Sequence, residues 1–305
     1  MPYYLGIDGG GTKTRCVLAD ETTVLARAMA GGSNIVRLGQ MQAREALHTA
    51  IHQVCAIAKI SPNHIGTICI GAAGAARPEI AAKIRGILAE LIPGISPTNI
   101  EVIGDNLVAL EAAFGTGPGV IAIAGTGSIV YGRDAAGHTA RAGGWGFAVS
   151  DEGSGHWIGR RAISAILSAR DQDLETALSA MLLQAWKLST IDELVQQANS
   201  TPPPDFPRLC PIVLHAADGG DALALDLLAE AGAKLAGLAA IVIRRLTPHA
   251  AVDALPVAMT GSVFRQSSVV RQVFYNTLQT DFAGIEVLQD MADPVQGALA
   301  RARRR

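Results

Sequence analysis

The chain has 305 residues and a mass of 31.6 kDa, more than one core comfortably holds and enough for two lobes of about 150 residues. Hydrophobic residues at 49% and charged residues at 17% exclude intrinsic disorder, and a net charge of −2 argues against a nucleic-acid-binding surface. Glycine is in excess, with 33 residues or about 11% against a usual ~7%, clustered and without the three-residue period of collagen.

Met1-Pro2-Tyr3-Tyr4 leads straight into strand-like sequence, so no signal peptide is expected. Tyr3 to Asp8 reads as a strand, Gly9-Gly10-Gly11-Thr12 as a turn, and Thr14 to Ala19 as a return strand. A helix is expected from about Gln40 to Ala58, with Ala43, Leu47, Ala50, Ile51 and Val54 on its apolar face. Ile65 to Ile70 is a short buried strand ending in Gly71-Ala72-Ala73-Gly74, Ile80 to Leu91 a helix, Ile100 to Ile103 a strand, and Asp105 opens a helix to about Phe114. Gly115-Thr116-Gly117-Pro118-Gly119 is the expected lobe boundary, separating residues 1–116 from 117–290. Beyond it the opening pattern recurs: Val120 to Ala124, the turn Gly125-Thr126-Gly127-Ser128, and the return strand Ile129 to Arg133. Two such units suggest a duplicated α/β architecture. Thr201 to Pro207 reads as a surface connection, Ala222 to Leu246 as a long helix, and Pro256 to Met259 as a strand ending in Thr260-Gly261-Ser262.

Two familiar phosphate loops fail at the first turn. Gly6 and Gly11 have the P-loop spacing, but Thr12 stands where that loop needs lysine, and Thr14 replaces the third glycine of a dinucleotide fingerprint. Both motifs also need a following helix. What remains is a turn whose backbone N–H groups, with Thr12, Lys13 and Thr14, suit a polyphosphate, beside Asp8, which is placed to hold a water-bound Mg²⁺. The alternative is a plain hairpin with glycines for positive φ, and the Gly125 to Ser128 turn poses the same choice. Asp105, after a buried strand, is either a helix N-cap or a general base at a strand's carboxyl end facing an interlobe cleft.

The loop Gly143-Gly144-Trp145-Gly146-Phe147 through Ser150-Asp151-Glu152-Gly153-Ser154-Gly155 combines backbone access, carboxylates and an aromatic surface, which suits a polyhydroxylated ligand, although Trp145 and Phe147 alone could be core residues. Ser33-Asn34 is a polar pair that also forms turns. His48 and His52 stand at i, i+4 without a third ligand or an accompanying glutamate, and read as helix surface; His156 reads as a helix-start residue. Cys16, Cys55, Cys69 and Cys210 are dispersed and read as reduced thiols of a cytoplasmic protein. Arg301 to Arg305 reads as cations at a helix C-terminus. Leu235 to Ile243, the longest apolar stretch, is half the length of a membrane span, so no membrane partner is expected.

Leu5 to Thr14, Ile123 to Ser128, and Gly143 to Gly146 with Asp151 to Gly155 together resemble the BadF/BadG/BcrA/BcrD ATPase family, and within it the N-acetylglucosamine kinases and bacterial glucosamine kinases. The resemblance runs over almost the whole chain. It implies an α/β fold of two ribonuclease-H-like lobes, the actin-like ATPase fold, with ATP in the interlobe cleft. By this likeness Asp8, Gly10, Gly11, Thr12, Lys13 and Thr14 match the first phosphate motif, with Mg²⁺ near Asp8, and Gly125, Thr126, Gly127 and Ser128 match the second. Gly261 and Ser262 match the adenosine motif and Asp105 the catalytic base, while Asn34, Gly144, Trp145 and Asp151 fall where the family binds sugar. Residues 291–305 would form a final helix returning to the first lobe. The implied activity is phosphorylation of the 6-hydroxyl of an amino sugar by a homodimer, N-acetylglucosamine before glucosamine. The ROK kinases' cysteine-rich zinc motif and E-x-G-H signature are missing. The family's other branch, ATP-dependent activators of acyl-CoA dehydratases and reductases, needs cluster cysteines that this sequence does not place together. A non-catalytic sugar sensor is the remaining alternative, against which Asp105 argues.

Overall fold

A computed structural model describes residues 2–247 and 255–305; Met1, where the reading of no signal peptide begins, lies outside them. The chain forms two compact units, Met1–Ile121 with Ala292–Arg305, and Ala122–Met291.

The first unit contains β1 (Tyr3–Gly9), β2 (Lys13–Ala19), β3 (Val24–Gly31), β4 (Ile65–Ala72) and β5 (Ile100–Gly104), in the order β3-β2-β1-β4-β5. The first three form an antiparallel meander; β4 runs parallel to β1 and β5 parallel to β4. α1 (Ile35–Ala58) begins five residues before the periodicity suggested, because Gly39 (φ 81°, ψ 167°) interrupts it and the regular stretch resumes at Gln40. α2 (Pro78–Leu91) and α3 (Asp105–Phe114) complete this part. Strand alternation sends Leu5 and Ile7 to one face, into a core with Leu47, Ile51 and Val54 of α1 and Ile84 and Leu88 of α2.

β3 had no counterpart in the sequence reading. It is an edge strand rich in alanine, with Leu25 and Met29 on its exposed side, so it carries little β-propensity or apolar signal of its own. The same holds for β8 (Thr139–Gly143), introduced by β6 (Gly119–Ala124) and β7 (Ser128–Arg133). With β9 (Val257–Thr260) these make a second sheet in the order β8-β7-β6-β9. Around it run α4 (Gly155–Asp171), α5 (Ala177–Trp186), α6 (Ile191–Ala198), α7 (Cys210–Asp218), α8 (Ala222–Leu246), α9 (Ser262–Gln266) and α10 (Ser268–Asp281). α8 packs on β7, β8, α4 and α10 through a face of leucine and alanine. The proline stretch is irregular, but its Phe206 is buried and opens a short 3-10 turn.

The last helix, α11 (Pro294–Arg303), packs on β1, β4 and α3, on the sheet face opposite Leu5 and Ile7. Cys69, Val108, Ala298 and Ala302 pack together there, beside Val17, Ala19, Val295 and Leu299. The arginines at its end do more than favour a helix C-terminus. Arg301 pairs with Glu101 at 2.7 Å and with Glu111, Arg304 also pairs with Glu111, and Arg305 reaches Thr98 O.

Candidate active site

The first unit gathers its share of the sequence-derived residues along one sheet edge. Register sets Asp8 beside Gly71 and Gly9 beside Ala72, and Ala72 beside Gly104, so Asp8 and Asp105 close strands separated only by β4. The β1–β2 turn is closed by Gly10 N–H donating to Lys13 O (3.0 Å) and is tied to the β3–α1 loop by Ser33 and Asn34 N–H donating to Gly10 O (3.1 and 3.2 Å). Positive φ is not what this turn requires: Gly9, Gly10 and Gly11 do not have it. They allow close approach, since a Cβ on Gly9 would lie 2.8 Å from Ser33 Oγ and one on Gly10 3.1 Å from Lys13 O.

Thr12 and Lys13 are exposed at the turn. Thr14, expected at the phosphates, is fully buried, and its hydroxyl bonds Gly31 O (2.7 Å) and Ser33 Oγ (2.8 Å), bracing the turn from behind. Asn34 is the N-cap of α1; its Oδ1 accepts from Val36 and Arg37 N–H (3.0 and 3.2 Å), which leaves the amide nitrogen as its group for a ligand.

Asp8 is held by Arg15, whose Nε and Nη2 donate to Asp8 Oδ2 (3.2 and 2.8 Å) while Nη1 lies 2.6 Å from Asp293 Oδ1. Sequence reasoning missed Arg15. The signal was available in the hairpin register, which sets Arg15 directly across from Asp8 as an opposite-charge pair. Asp105 is not the N-cap of α3; Gly104 occupies that position, and Asp105 stands in the first turn with Oδ1 accepting Asn106 N–H (3.0 Å). It retains some solvent contact by area yet is closely surrounded by protein. Burial, with the negative charge of Asp8, pushes its carboxyl up to about 6 against the pull of the adjacent backbone N–H groups.

The second unit brings three loops together. Gly155 N–H donates to Gly125 O (2.8 Å) and His156 N–H to Thr126 O (3.2 Å), docking the start of α4 on the β6–β7 turn. Gly261 (φ 107°) presses on the same strand end, where a Cβ would stand 2.1 Å from Ala124 O; Ser262 follows it, exposed. Positive φ belongs to the third loop, at Gly143, Gly144, Gly146 and Gly153, and at Asp151. Trp145 and Phe147 are not core residues. Trp145 is 71% exposed with the Arg141 guanidinium 3.9 Å above its ring, and Phe147 stacks near His156, whose ring lies between Phe147 and Phe206. Ser128 is buried and its hydroxyl donates to Glu152 O (2.7 Å). Asp151 is 7% exposed, and its carboxylate accepts the Ser128 and Gly146 N–H groups. Burial nonetheless raises its carboxyl.

Among the described residues no group of three or more His, Cys, Asp or Glu side chains could hold a metal ion. All four cysteines are buried thiols, with burial pushing Cys55 to about 11 and Cys210 to about 12. His48 and His52 stack at 4.2 Å on α1. No described helix is long and apolar enough to cross a membrane.

Two α/β units, each built on an antiparallel meander and carrying a glycine–threonine turn after its first strand, define an actin-like ATPase fold. Solved structures share it along the whole chain. A candidate N-acetylglucosamine kinase from Chromobacterium violaceum superposes with a TM-score of 0.78 at 29% identity, covering 99% of each chain. A ROK family glucokinase from Streptomyces griseus, solved with glucose and AMPPNP, gives 0.64 at 16% identity over 99% of this chain and 100% of its own. The protein belongs to the BadF/BadG/BcrA/BcrD ATPase family, whose sequence model matches residues 5–301. A relative in Clostridium acetobutylicum, the N-acetylmuramic acid/N-acetylglucosamine kinase, is 30% identical over 99% of both chains, and the N-acetyl-D-glucosamine kinase of Dictyostelium discoideum is 29% identical over 97% of this chain and 96% of its own.

Proposed function

We propose that the protein transfers the γ-phosphoryl group of ATP to the 6-hydroxyl of an amino sugar, N-acetylglucosamine before glucosamine. One observation carries this reading beyond kinship: Asp105, beside Asp8 at the sheet edge, has a carboxyl raised to about 6, which suits a general base working near neutral pH. In this mechanism Asp105 accepts the hydroxyl proton as the sugar oxygen bonds to the γ-phosphorus. The bond from that phosphorus to the β–γ bridging oxygen breaks, and ADP leaves. The backbone N–H groups of Gly11 and Gly127, with Thr12, Lys13 and Thr126, would hold the phosphates, and Gly261 and Ser262 the adenosine, while the Gly10 and Gly125 N–H groups close the two turns. Catalysis of this kind is mainly positioning and electrostatics. The acidic site lacks three metal ligands of its own, which fits Mg²⁺ held by one carboxylate, waters and substrate phosphates. Asp8 would be that carboxylate, and the ion would neutralise phosphate charge.

For the sugar, the Asn34 amide nitrogen, the Gly144 backbone and the exposed Trp145 ring, one face of which Arg141 covers, would be the contacting groups. Four buried, unpaired thiols fit a reducing compartment, and a cytoplasmic homodimer is part of the same reading. They do not fit a shared [4Fe–4S] cluster, which needs accessible thiolates.

Coupled ADP release with N-acetylglucosamine, glucosamine, glucose, N-acetylmannosamine and N-acetylmuramic acid is the direct test. N-acetylglucosamine is expected to give the highest kcat/KM; no sugar-dependent release from any of them would end the kinase reading. Thr14→Val separates brace from ligand. It should cost about 1–3 kcal/mol in urea unfolding, by stranding the Gly31 carbonyl and the Ser33 hydroxyl, with ATP affinity unchanged to within a few-fold. Loss of affinity without loss of stability would return Thr14 to the phosphate contacts.

A further inference from the structure

Asp8 and Arg15 meet because hairpin register and strand alternation send both to the α11 face of the first sheet. Val17 and Ala19, further along β2, pack with Val295 and Leu299 on that same face. The guanidinium divides its contacts unevenly. Nε and Nη2 both donate to Asp8 Oδ2 (3.2 and 2.8 Å), and no donor among the described residues reaches Oδ1. Nη1 turns the other way and lies 2.6 Å from Asp293 Oδ1. Asp293 is the N-cap of α11, yet its side chain accepts no hydrogen bond from the helix it opens. Its Oδ1 is buried without an aligned donor, so the charge of Arg15 is what compensates it. An aspartate in the capping position that does not cap thus anchors the far side of the guanidinium.

This arrangement limits how Asp8 can meet a cation. A free carboxylate has about four lone-pair positions and can chelate an ion through both oxygens. With Oδ2 committed to two N–H groups, Asp8 offers Oδ1 alone. Mg²⁺ loses nothing by this, because it keeps several waters in a near-ideal octahedron and takes one carboxylate together with phosphates. Ca²⁺ collects about six to eight oxygens in flexible geometry and readily takes both oxygens of one carboxylate. We propose that Arg15 is a positioning residue that confines Asp8 to one oxygen and so selects Mg²⁺ over Ca²⁺ at the nucleotide site, with Asp293 as its anchor. The proposal deepens the kinase reading and rests on it for the nucleotide and for the ion at Asp8.

Arg15→Met removes the donors and keeps a long, unbranched side chain. It also leaves Asp293 Oδ1 buried without its charge partner. Arg15→Met/Asp293→Asn is therefore the second variant, which guards against a fold that fails for that reason alone. Calorimetric titration with AMPPNP, at saturating Mg²⁺ and at saturating Ca²⁺, reads the selectivity without turnover. In both variants the ratio of Ca²⁺-supported to Mg²⁺-supported affinity should rise about tenfold over the wild type, the scale at which outer-shell partners tune metal sites. Tighter binding with Ca²⁺ should account for most of that rise. An unchanged ratio overturns the proposal, whether both affinities fall, as for a structural prop, or both rise, as for charge alone. A rise made wholly by weaker Mg²⁺ binding overturns it too. So does a ratio that rises in the single variant and returns to the wild-type value in the double one, since the stranded Asp293 would then be the cause. A wild type that binds AMPPNP no better with Mg²⁺ than in EDTA takes the ion away from Asp8 and the proposal with it. Failure of the kinase reading would appear separately, as wild-type ADP release that no sugar raises.

Discussion

Asp105→Asn is expected to lower kcat at least ~100-fold, the usual scale for losing a general base, while ATP affinity stays within a few-fold and the first unit becomes more stable at pH 8. The two halves of this result have one cause. The carboxyl is raised to about 6 by burial and by Asp8, against about 3.9 in an unfolded chain. The fold therefore favours the protonated form, so the group's favourable contribution is complete below about pH 4 and is lost as pH rises through 6. At pH 8 its ionised form costs up to about 3 kcal/mol, about two pKa units at 1.36 kcal/mol each; remaining solvent contact makes that a ceiling. Asn keeps the oxygen that accepts Asn106 N–H and carries no charge. Urea unfolding of both proteins should show the variant ahead at pH 8 and level with the wild type below pH 4. The wild-type kcat/KM should rise with pH through about 6 and then level off, since the working form is the carboxylate. A variant that retains kcat, or a wild-type profile flat between pH 5 and 7, would remove Asp105 from the role of base.

The sequence reading was strongest where residue type alone sets a local choice. The glycine turns, the flanking strands β1, β2, β6 and β7, and the helices α3 and α8 are punctuated by residues that leave few alternatives. It was weakest where a side chain's direction decides its role. Thr14 and Ser128 carry hydroxyls in phosphate-like motifs, but strand alternation turns both inward, onto Ser33 and onto Glu152 O. Knowing the strand register beforehand would have exposed this, and would have found Arg15 opposite Asp8. Asp151 shows a different limit: its positive φ and two backbone donors depend on where Ser128 and Gly146 lie, 23 and 5 residues away in the chain, and no local pattern announces them. The glycine excess divides similarly. Gly146 has positive φ in open space, Gly9, Gly10 and Gly127 are small because another group approaches, Gly144 and Gly261 meet both needs, and nothing local distinguishes these cases.

That second need is most acute at positions such as Gly297, and Gly297→Val is expected to cost the first unit more than about 3 kcal/mol. A Cβ at this position would stand 2.0 Å from Val108 O and 2.8 Å from Ala112 N, so α11 meets α3 backbone to backbone. On the other flank of the helix a Cβ on Gly6 would stand 2.6 Å from Leu299 N. α11 is thus fitted between β1 and α3 and has no side to which it can yield. Overpacking alone usually costs 1–3 kcal/mol. Here displacement would also draw Arg301 and Arg304 away from Glu111, whose side chain is 2% exposed, and a buried carboxylate left without its partner typically costs 3–5 kcal/mol. The two penalties are not additive, because a helix that lifts far enough to relieve the clash admits water to Glu111. Arg304→Ala removes one of the two partners of Glu111 without breaking the Arg301–Glu101 pair and should be milder, since Arg301 still reaches Glu111. Urea unfolding of the wild type and both variants should place them in that order. Gly297→Val within about 1 kcal/mol of the wild type would mean that α11 is not held as closely as Gly6 and Gly297 indicate.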